Sequence, residues 1–513
     1  MGMTRRDFGT GATALGASSL IGPRIAGAAA EGDSAIGRIK HWVVVMMENR
    51  SFDSLLGHLP HIPREDGIRD SETVLAYPGG SVKLHKATHF WSPDPDPGEA
   101  WANVNVQLWS RYIPESNGGK AAYPAFPDFM APPYNLPEDP GVPTMDGFAL
   151  DYYWNFVWWV GREPTAEEMQ PIAAMYTPET APVINKLAQE YAVFTRWFCE
   201  VPTCTMPNRA FFFTGTSQGR LDNELEYNYA WGETAKSLFD LFVEKGVPWK
   251  VYYDRKTQIV PECVINLGGL NHPVEWAEHL ATLDDFIADA KSGDLPAFTW
   301  LEPNMQHPPL TDYHPPEDIR AAEEFLAAAY VAIRNSPAWE ETALVICFDE
   351  HGGCYDHVPP PAIDPPDDTP GALGFGFDRL GLRVPTIVVS AYTERETVIR
   401  DTFHSCSVLR TMRDQFDLGP PLTRRDAIAP SLAPAFNRAE PRTDRPGLTV
   451  QAYSPKTGGN ERLSQIAEFT LRNAARIAGV DPGTVPPDPA GAKTFMEAMF
   501  FENGKFRIPT RIR

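Results

Sequence analysis

The stretch HWVVVMM, residues 41–47, decides the fold of this chain, and it leads into the polar string ENRSFD at residues 48–53. A second apolar run, ALVICF at residues 343–348, leads into DEHGG at residues 349–353. Short β-branched runs of this kind are typical of buried strands in a parallel sheet. In open α/β sheets, ligands bind beyond the carboxyl ends of the strands. Carboxylates from two distant segments are therefore expected to meet on one rim of the sheet.

The oxygen-bearing residues at these two strand ends predict a site for a divalent metal ion. Glu48, Asp349 and Glu350 supply negative oxygen ligands, which suit hard cations. Asn49 can add a neutral oxygen to the metal or an amide donor to a phosphate. The residue types leave the identity of the ion open among Ca²⁺, Zn²⁺, Mn²⁺ and Mg²⁺.

Strands and helices alternate along most of the chain, which predicts an α/β/α sandwich around a mostly parallel central sheet. Predicted strands cover residues 193–198, 249–253, 298–301, 343–348 and 384–390, and predicted helices begin at 180–182 and cover 234–245, 318–334 and 463–478. Residues 60–170 are rich in proline, glycine and aromatic residues and are expected to form an insertion over the rim. The aromatic run 152–159 predicts the core of that cap or, alternatively, a wall that contacts a lipid or a choline headgroup.

The N-terminus resembles an export signal of the twin-arginine type. Arg5 and Arg6 precede a mildly apolar stretch and the small-residue sequence AGAAA at residues 26–30. We therefore expect a signal peptide at residues 1–30, a catalytic domain at 31–440 and a C-terminal helical extension at 441–513. The mature protein is expected in the periplasm or outside the cell. No later run offers the roughly 20 apolar residues that a membrane-spanning helix needs.

The chain of 513 residues carries a formal net charge of −22 at pH 7. This charge argues against a nucleic-acid partner and against steering toward anionic membranes. A transient contact with a membrane surface stays open. A local cation would be needed at the site to attract an anionic substrate. The six cysteines match no zinc motif in their spacing, and one or two disulfides are expected among them, with Cys347 a core residue of its strand.

Three motifs carry a resemblance to a known family: residues 48–53, TCTMPNR at 203–209, and DEHGGCYDHVPP at 349–360. In this order they are similar to the bacterial and plant phospholipase C and acid phosphatase family, whose members are alkaline-phosphatase-like phosphoesterases. The similarity covers most of residues 38–415. It implies an alkaline-phosphatase-like fold and the hydrolysis of a phospholipid or a small phosphoester.

The resemblance also implies the roles of individual residues. Thr205 is the expected nucleophile, because the family has a metal-bound Ser or Thr three residues before an Asn-Arg pair, here Asn208 and Arg209. Thr203 stays open as an alternative. A phosphothreonine intermediate would follow from attack by Thr205. The implied metal ligands are Glu48, Asn49, Thr205, Asp349 and Glu350.

Histidines are expected to assist the leaving group or to hold the ligands in place. His314 matches a His-Pro element that the family has beside the metal. Four other residues are expected to orient ligands or phosphate from behind: His351, His357, Asn208 and His404. The chain departs from the family pattern at Glu99 and Glu317, where relatives often have His, and it has one extra residue in the motif that begins at His404.

Other functions fit parts of the sequence. The same site could serve an acid phosphatase acting on monoesters, although residues 349–360 are closest to the phospholipases. The G-x-S-x-G pattern at 215–219, with Asp356 and His404 downstream, would suit a serine esterase with Ser217 as nucleophile. A third alternative is a non-catalytic binding protein on a phosphoesterase scaffold, which only the missing histidine at Glu99 supports.

Overall fold

The protein is represented by a computed structural model. It describes residues 35–69, 71–120, 130–223, 235–258, 261–263, 278–306 and 308–454, together with short stretches between 471 and 506. The expected signal peptide at residues 1–30 lies outside the described residues, as does most of the expected C-terminal helix at 463–478.

Eight strands form the central sheet of the described chain. In chain order they are β1 His41–Met47, β2 Ala192–Phe194, β3 Trp249–Tyr253, β4 Leu280–Thr282, β5 Phe298–Leu301, β6 Thr342–Phe348, β7 Ile387–Ser390 and β8 Thr397–Ile399. Their order across the sheet is β8-β2-β7-β6-β1-β5-β3-β4. Within this sheet only β7 runs antiparallel to its neighbours. The prediction of a mostly parallel sheet is confirmed.

Helices cover both faces of the sheet. Those of the described chain are α1 Phe52–Leu56, α2 Trp101–Trp109, α3 Phe148–Val160, α4 Pro182–Glu190, α5 Thr205–Thr214, α6 Leu238–Lys245, α7 Leu283–Ser292, α8 Ile319–Arg334, α9 Cys406–Phe416, α10 Arg424–Ile428 and α11 Pro489–Phe500. Phe239 of α6 packs on Trp249, whereas Phe286 of α7 packs on Tyr252. Trp249 and Tyr252 point to opposite faces because side chains alternate along a strand. The fold is therefore the three-layer sandwich that the sequence predicts.

The strand predicted at residues 193–198 is wrong as a single element. β2 ends at Phe194, and Trp197–Phe198 pairs instead with Phe403–His404 in a separate two-stranded sheet. The break lies at Thr195 and Arg196, whose side chains both bond to the carboxylate of Asp66. This polar anchor turns the chain out of the central sheet, which an apolar pattern alone does not reveal.

Two other predicted boundaries shift for local reasons. The strand expected at 384–390 begins at Ile387, because Pro385 has no backbone N–H for the ladder. The helix expected from residue 234 begins at Leu238, where the Ser237 side chain accepts from the backbone of Asp240 and caps the first turn.

The segment between β1 and β2 builds a second hydrophobic core. It contains the hairpin Val74–Tyr77 and Gly80–Lys83 together with α2 and α3. The ring of Phe148 in α3 packs at 5.2 Å on Tyr355, so this core lies against the chain that follows β6. Tyr152 and Tyr153 of α3 belong to this core, and Phe156 of the same helix is buried as well.

The disulfides expected from the sequence are wrong. All six cysteines are free thiols and all six are buried. Cys347 lies inside β6, as predicted. The described helices include none whose length and apolar character would allow it to cross a bilayer.

Candidate active site

The pairing of β1 with β6 brings the two acidic motifs together. The strands are parallel and in register up to Met47 opposite Phe348, so Glu48 and Asp349 leave the sheet side by side. The backbone N–H of Asn49 donates to Asp349 Oδ1 at 3.2 Å, and the N–H of Glu350 donates to the same oxygen at 2.7 Å. The rim predicted from the sequence therefore exists.

The turn after β1 requires close contact between the two motifs. Asn49 has a positive φ of 58°, a conformation that Asn tolerates better than most residues. A Cβ on Gly352, whose φ is 61°, would lie 2.1 Å from the Asn49 carbonyl oxygen. Gly352 thus lets the second motif fold directly over the first, and its N–H donates to Glu350 Oε2 at 2.7 Å.

Thr205 is brought to this rim as the first residue of α5. Its hydroxyl donates to Asn49 Oδ1 at 3.4 Å. Thr203, the alternative nucleophile, instead donates its hydroxyl to the carbonyl of Leu221. The Asn208 side chain holds the turn before α5, because its amide donates to the carbonyls of Thr203 and Cys204 at 2.8 and 3.0 Å.

Arg209 is a buried cation in the middle of the acidic groups. It lies one helical turn after Thr205, on the same face of α5. Its guanidinium contacts Asp349 at 3.0 Å, Glu48 at 3.2 Å and Glu262 at 3.4 Å. Three buried carboxylates therefore share one positively charged partner.

Several carboxylate oxygens at the rim remain without a hydrogen-bond partner among the described residues. They are buried, and they are Glu48 Oε2, Glu350 Oε1 and Asp312 Oδ2. Burial and neighbouring negative charges raise the pKa of Glu48 and of Glu350 well above the usual range. Burial also raises the pKa of Asp312 to about 7. A set of buried, unpaired hard oxygens suits a divalent cation, so these residues fit the implied metal.

A second side of the site is formed by His314 and Glu99. The Asn49 amide donates to Glu99 and lies 3.0 Å from His314 Nε2. His314 Nδ1 donates to the Pro315 carbonyl at 2.5 Å, which leaves Nε2 as the acceptor nitrogen. Burial lowers the pKa of His314 to about 4, and burial together with Asp349 raises the pKa of Glu99 to about 8. Asp96, Glu99 and His314 offer ligand atoms within 4.8 Å of one another.

The other predicted histidines lie in three different surroundings. His351 is buried, its Nε2 donates to Gln107 Oε1 at 2.7 Å, and its Nδ1 lies 3.3 Å from Glu350 Oε2. His357 bonds to Asp53 at 2.6 Å, and His404 bonds to Glu200 at 2.8 Å. The structure thus brings His351 to the rim and puts His357 and His404 in separate ion-pair clusters.

Residues 39–419 match the phosphoesterase family, which covers the strands, the helix α5 and both motifs of the rim. The chain belongs to this family. The phosphoesterase is 33% identical over 463 residues to non-specific phospholipase C1 of Arabidopsis thaliana, across 85% of this chain and 78% of that protein. It is 28% identical over 527 residues to phospholipase C B of Mycobacterium tuberculosis (strain ATCC 25618 / H37Rv), across 92% and 94%. It is therefore an enzyme of the phosphoric ester hydrolase class.

Solved structures overlap with the phosphoesterase over part of its length. Phosphonate monoester hydrolase of Agrobacterium radiobacter aligns with 59% of this chain and 79% of its own, at 13% identity and a TM-score of 0.28. A protein in the alkaline phosphatase superfamily from Vibrio parahaemolyticus aligns with 50% of this chain and 65% of its own, at 12% identity and a TM-score of 0.31.

The geometry of the phosphoesterase does not assemble a serine-esterase triad. Ser217 follows the end of α5 rather than a strand, and its hydroxyl donates to the Arg220 carbonyl at 2.8 Å. Asp356 pairs with Arg383, and His404 pairs with Glu200. The three groups are each bonded to a different partner.

Sequence reasoning did not assign several residues of the site, and Arg209 and Glu99 are the most central of them. Arg209 was recognised only as part of a motif, although its position four residues after Thr205 in a helix was a usable signal. Glu99 was seen only as a departure from the family pattern. Its contact with Asn49 depends on how residues 60–170 fold, and nothing in the local sequence around Glu99 encodes that contact.

Proposed function

We propose that this phosphoesterase is an exported, metal-dependent enzyme of the phospholipase C type that cleaves phosphodiesters of phospholipids. The observation that carries the proposal is the set of buried carboxylate oxygens without a partner among the described residues, at the rim where Asn49 accepts from the hydroxyl of Thr205. The relatives named phospholipase C support the phospholipid substrate. Export through a signal at residues 1–30, the catalytic domain at 31–440, the extension at 441–513 and transient contact with a membrane surface are parts of this proposal.

One divalent ion would be held by Glu48, Asn49, Thr205, Asp349 and Glu350. When bound, it supplies positive charge for the phosphate and lowers the pKa of a hydroxyl that is otherwise a poor nucleophile. Arg209 opposes the rise that burial causes in the pKa of Glu48 and of Asp349, and it fixes both side chains in place, because its guanidinium bonds to both. His351, held by Gln107, supports Glu350 from behind.

Thr205 attacks phosphorus, and the bond from phosphorus to the lipid alcohol breaks. Asn49 Oδ1 orients the Thr205 hydroxyl before the attack. His314 takes the hydroxyl proton at Nε2 and passes it to the departing alcohol, while Pro315 holds the proton on Nδ1. The headgroup phosphate is then esterified to Thr205, and water hydrolyses that ester to regenerate the hydroxyl.

The alternative is an acid phosphatase that hydrolyses monoesters with the same residues. A non-catalytic binding protein is a further alternative, because Glu99 rather than His contacts Asn49. All three functions use one site and differ in what is turned over, so a comparison of substrates separates them.

The test compares hydrolysis of p-nitrophenyl phosphorylcholine and p-nitrophenyl phosphate by the wild type, Thr205→Ala and the matched control Thr203→Ala, with and without chelator. We expect chelator-sensitive release from the diester by the wild type and Thr203→Ala. Thr205→Ala should be inactive with an unchanged melting temperature. Release from the monoester alone would select the acid phosphatase, and silence on both substrates with metal present would select the binding protein. Turnover by Thr205→Ala would refute the nucleophile.

A further inference from the structure

The end of α3 exposes an unusual amount of apolar surface. Trp158, Trp159 and Val160 are 36%, 49% and 45% exposed, and in the described part of the chain they are the only consecutive run of large exposed hydrophobic residues. Three successive helical residues point in different directions around the axis, so they form a tip rather than a stripe. The helix ends there, at Gly161 in the left-handed conformation.

The opposite end of α3 is fixed to the active site. The Phe148 ring lies edge-on to His351 with ring centroids 6.4 Å apart. One turn later, Asp151 accepts from Gln107 at 2.9 Å, and Gln107 in turn accepts from His351 at 2.7 Å. The helix therefore connects the rim of the sheet to the exposed tip through direct side-chain contacts.

The chemistry of the tip fits the interface of a lipid bilayer. Tryptophan combines a large apolar ring with a polar N–H and is enriched at the boundary between headgroups and acyl chains. The two indoles contact each other edge to face, with ring centroids 4.5 Å apart. The nearest charge in the sequence, Arg162, already pairs with Glu168 at 2.6 Å. Contact at this tip is therefore apolar rather than electrostatic, in agreement with a chain whose net charge is −22.

The dimensions of α3 agree with a lipid substrate. Eight residues separate Asp151 from Trp159, which corresponds to about 12 Å of helix. Interfacial helices bury their apolar surface roughly 5–10 Å into the headgroup and acyl boundary. With the axis of α3 along the membrane normal, a tip inserted to that depth would bring the Asp151 level of the helix, and with it the active-site rim, to the headgroup layer where the phosphodiester lies.

We propose that the tip Trp158-Trp159-Val160 inserts into zwitterionic phospholipid bilayers and brings the active site to the membrane surface. This inference rests on the proposed function, because it assigns the surface that recruits the enzyme to its lipid substrate. The occupant of the tip is a bilayer rather than a protein partner.

The experiment measures both binding and turnover with the double variant Trp158→Ser/Trp159→Ser. The matched control is Val243→Ser/Ile287→Ser, which removes two residues of 48% and 42% exposure from α6 and α7. Binding to phosphatidylcholine vesicles is measured by co-sedimentation in a Thr205→Ala background, so that the lipid stays intact. Turnover is measured on the same vesicles and on soluble p-nitrophenyl phosphorylcholine.

We expect the affinity of the tryptophan variant for vesicles to fall roughly tenfold. Its rate of vesicle hydrolysis should fall in the same proportion. Its activity on the soluble diester should equal that of the wild type, and the control variant should match the wild type in every assay. Brominated acyl chains should quench the wild-type tryptophan fluorescence more than that of the double variant.

Equal vesicle binding by the wild type and the tryptophan variant would overturn the inference. So would binding that strengthens with anionic lipid and fails at high salt, since that behaviour is electrostatic, or a wild-type dimer that the variant converts to a monomer. The failure of the proposed function looks different: the wild type would then bind vesicles through the tip but would hydrolyse neither the vesicles nor the soluble diester.

Discussion

Two buried ionic clusters arise from the same pair of motifs, and they are built in opposite ways. At the rim, Glu48 and Asp349 share one guanidinium with Glu262. A few residues further along each motif, Asp53 and Asp356 meet Arg383 and His357, which gives two acids and two bases.

The difference shows in how the oxygens are used. In the second cluster Asp53 bonds to Arg383 at 2.9 Å and to the imidazole of His357 at 2.6 Å, and Asp356 bonds to Arg383 at 2.9 Å. At the rim, Glu48 and Glu350 each leave one buried oxygen without a partner among the described residues. A satisfied cluster stabilises the fold, whereas an unsatisfied one holds acceptors ready for a cation and costs stability.

The largest expected effect is on activity at the rim. Glu350→Gln replaces a carboxylate among the proposed metal ligands by a neutral amide, so we expect hydrolysis to fall by more than about 100-fold, beyond the usual loss for residues that only support a ligand. With chelator present, the melting temperature should stay the same or rise, because a buried carboxyl that is costly to ionise is removed. Steady-state kinetics and calorimetry check both expectations, and a large fall in melting temperature would contradict this description of the rim.

A substitution in the second cluster should lower the stability of the fold. Arg383→Met leaves Asp53 and Asp356 buried without their shared base, and we expect a loss of about 3–5 kcal/mol in the free energy of unfolding. The control is Arg400→Met, which removes a 43% exposed base from Asp66 and should cost much less. Urea denaturation measures both. Equal losses in the two variants would show that the second cluster is not a structural centre.

Removal of the proposed metal ion should affect the rim and leave the second cluster unchanged. Any ligand that binds only the folded state increases the free energy of unfolding, by about 2.7 kcal/mol at a concentration 100 times its Kd, and so raises the melting temperature. Chelation should therefore lower the melting temperature of the wild type and abolish its activity. Glu350→Gln should show a much smaller thermal response to chelator. A wild-type melting temperature that does not change with chelator or with added metal would argue against the proposed ion.

The smallest effect concerns pH and the second cluster. Burial alone would lower the pKa of His357, but Asp53 outweighs it and raises the pKa to about 9. The folded protein therefore binds a proton that the unfolded chain releases near pH 6.5. This contribution to stability is complete below pH 6.5 and is lost as the pH rises through 9. His357→Gln should flatten the decline of unfolding free energy between pH 7 and 9.5; an unchanged slope would show that Asp53 does not hold the proton.

The sequence was sufficient for the elements whose signal is local. The apolar runs before Glu48 and Asp349 predict two central strands, and their parallel ends predict the rim. The sequence was insufficient where contacts with distant segments determine the local structure. The anchor on Asp66 that breaks the predicted strand at Thr195 comes from a different part of the chain. The partial exposure of residues 152–159 depends on which side of α3 the second core covers.

The register between β1 and β6 has a consequence for how the enzyme is made. Met47 and Phe348 are partners in a ladder that joins the beginning of the chain to its second half. A slip of one residue would turn every side chain of the strand to the other face. Glu48 and Asp349 can therefore meet only in a molecule whose sheet is complete and correctly aligned. Hydrolytic activity therefore indicates that folding is complete, and an incomplete or misaligned chain is expected to have none.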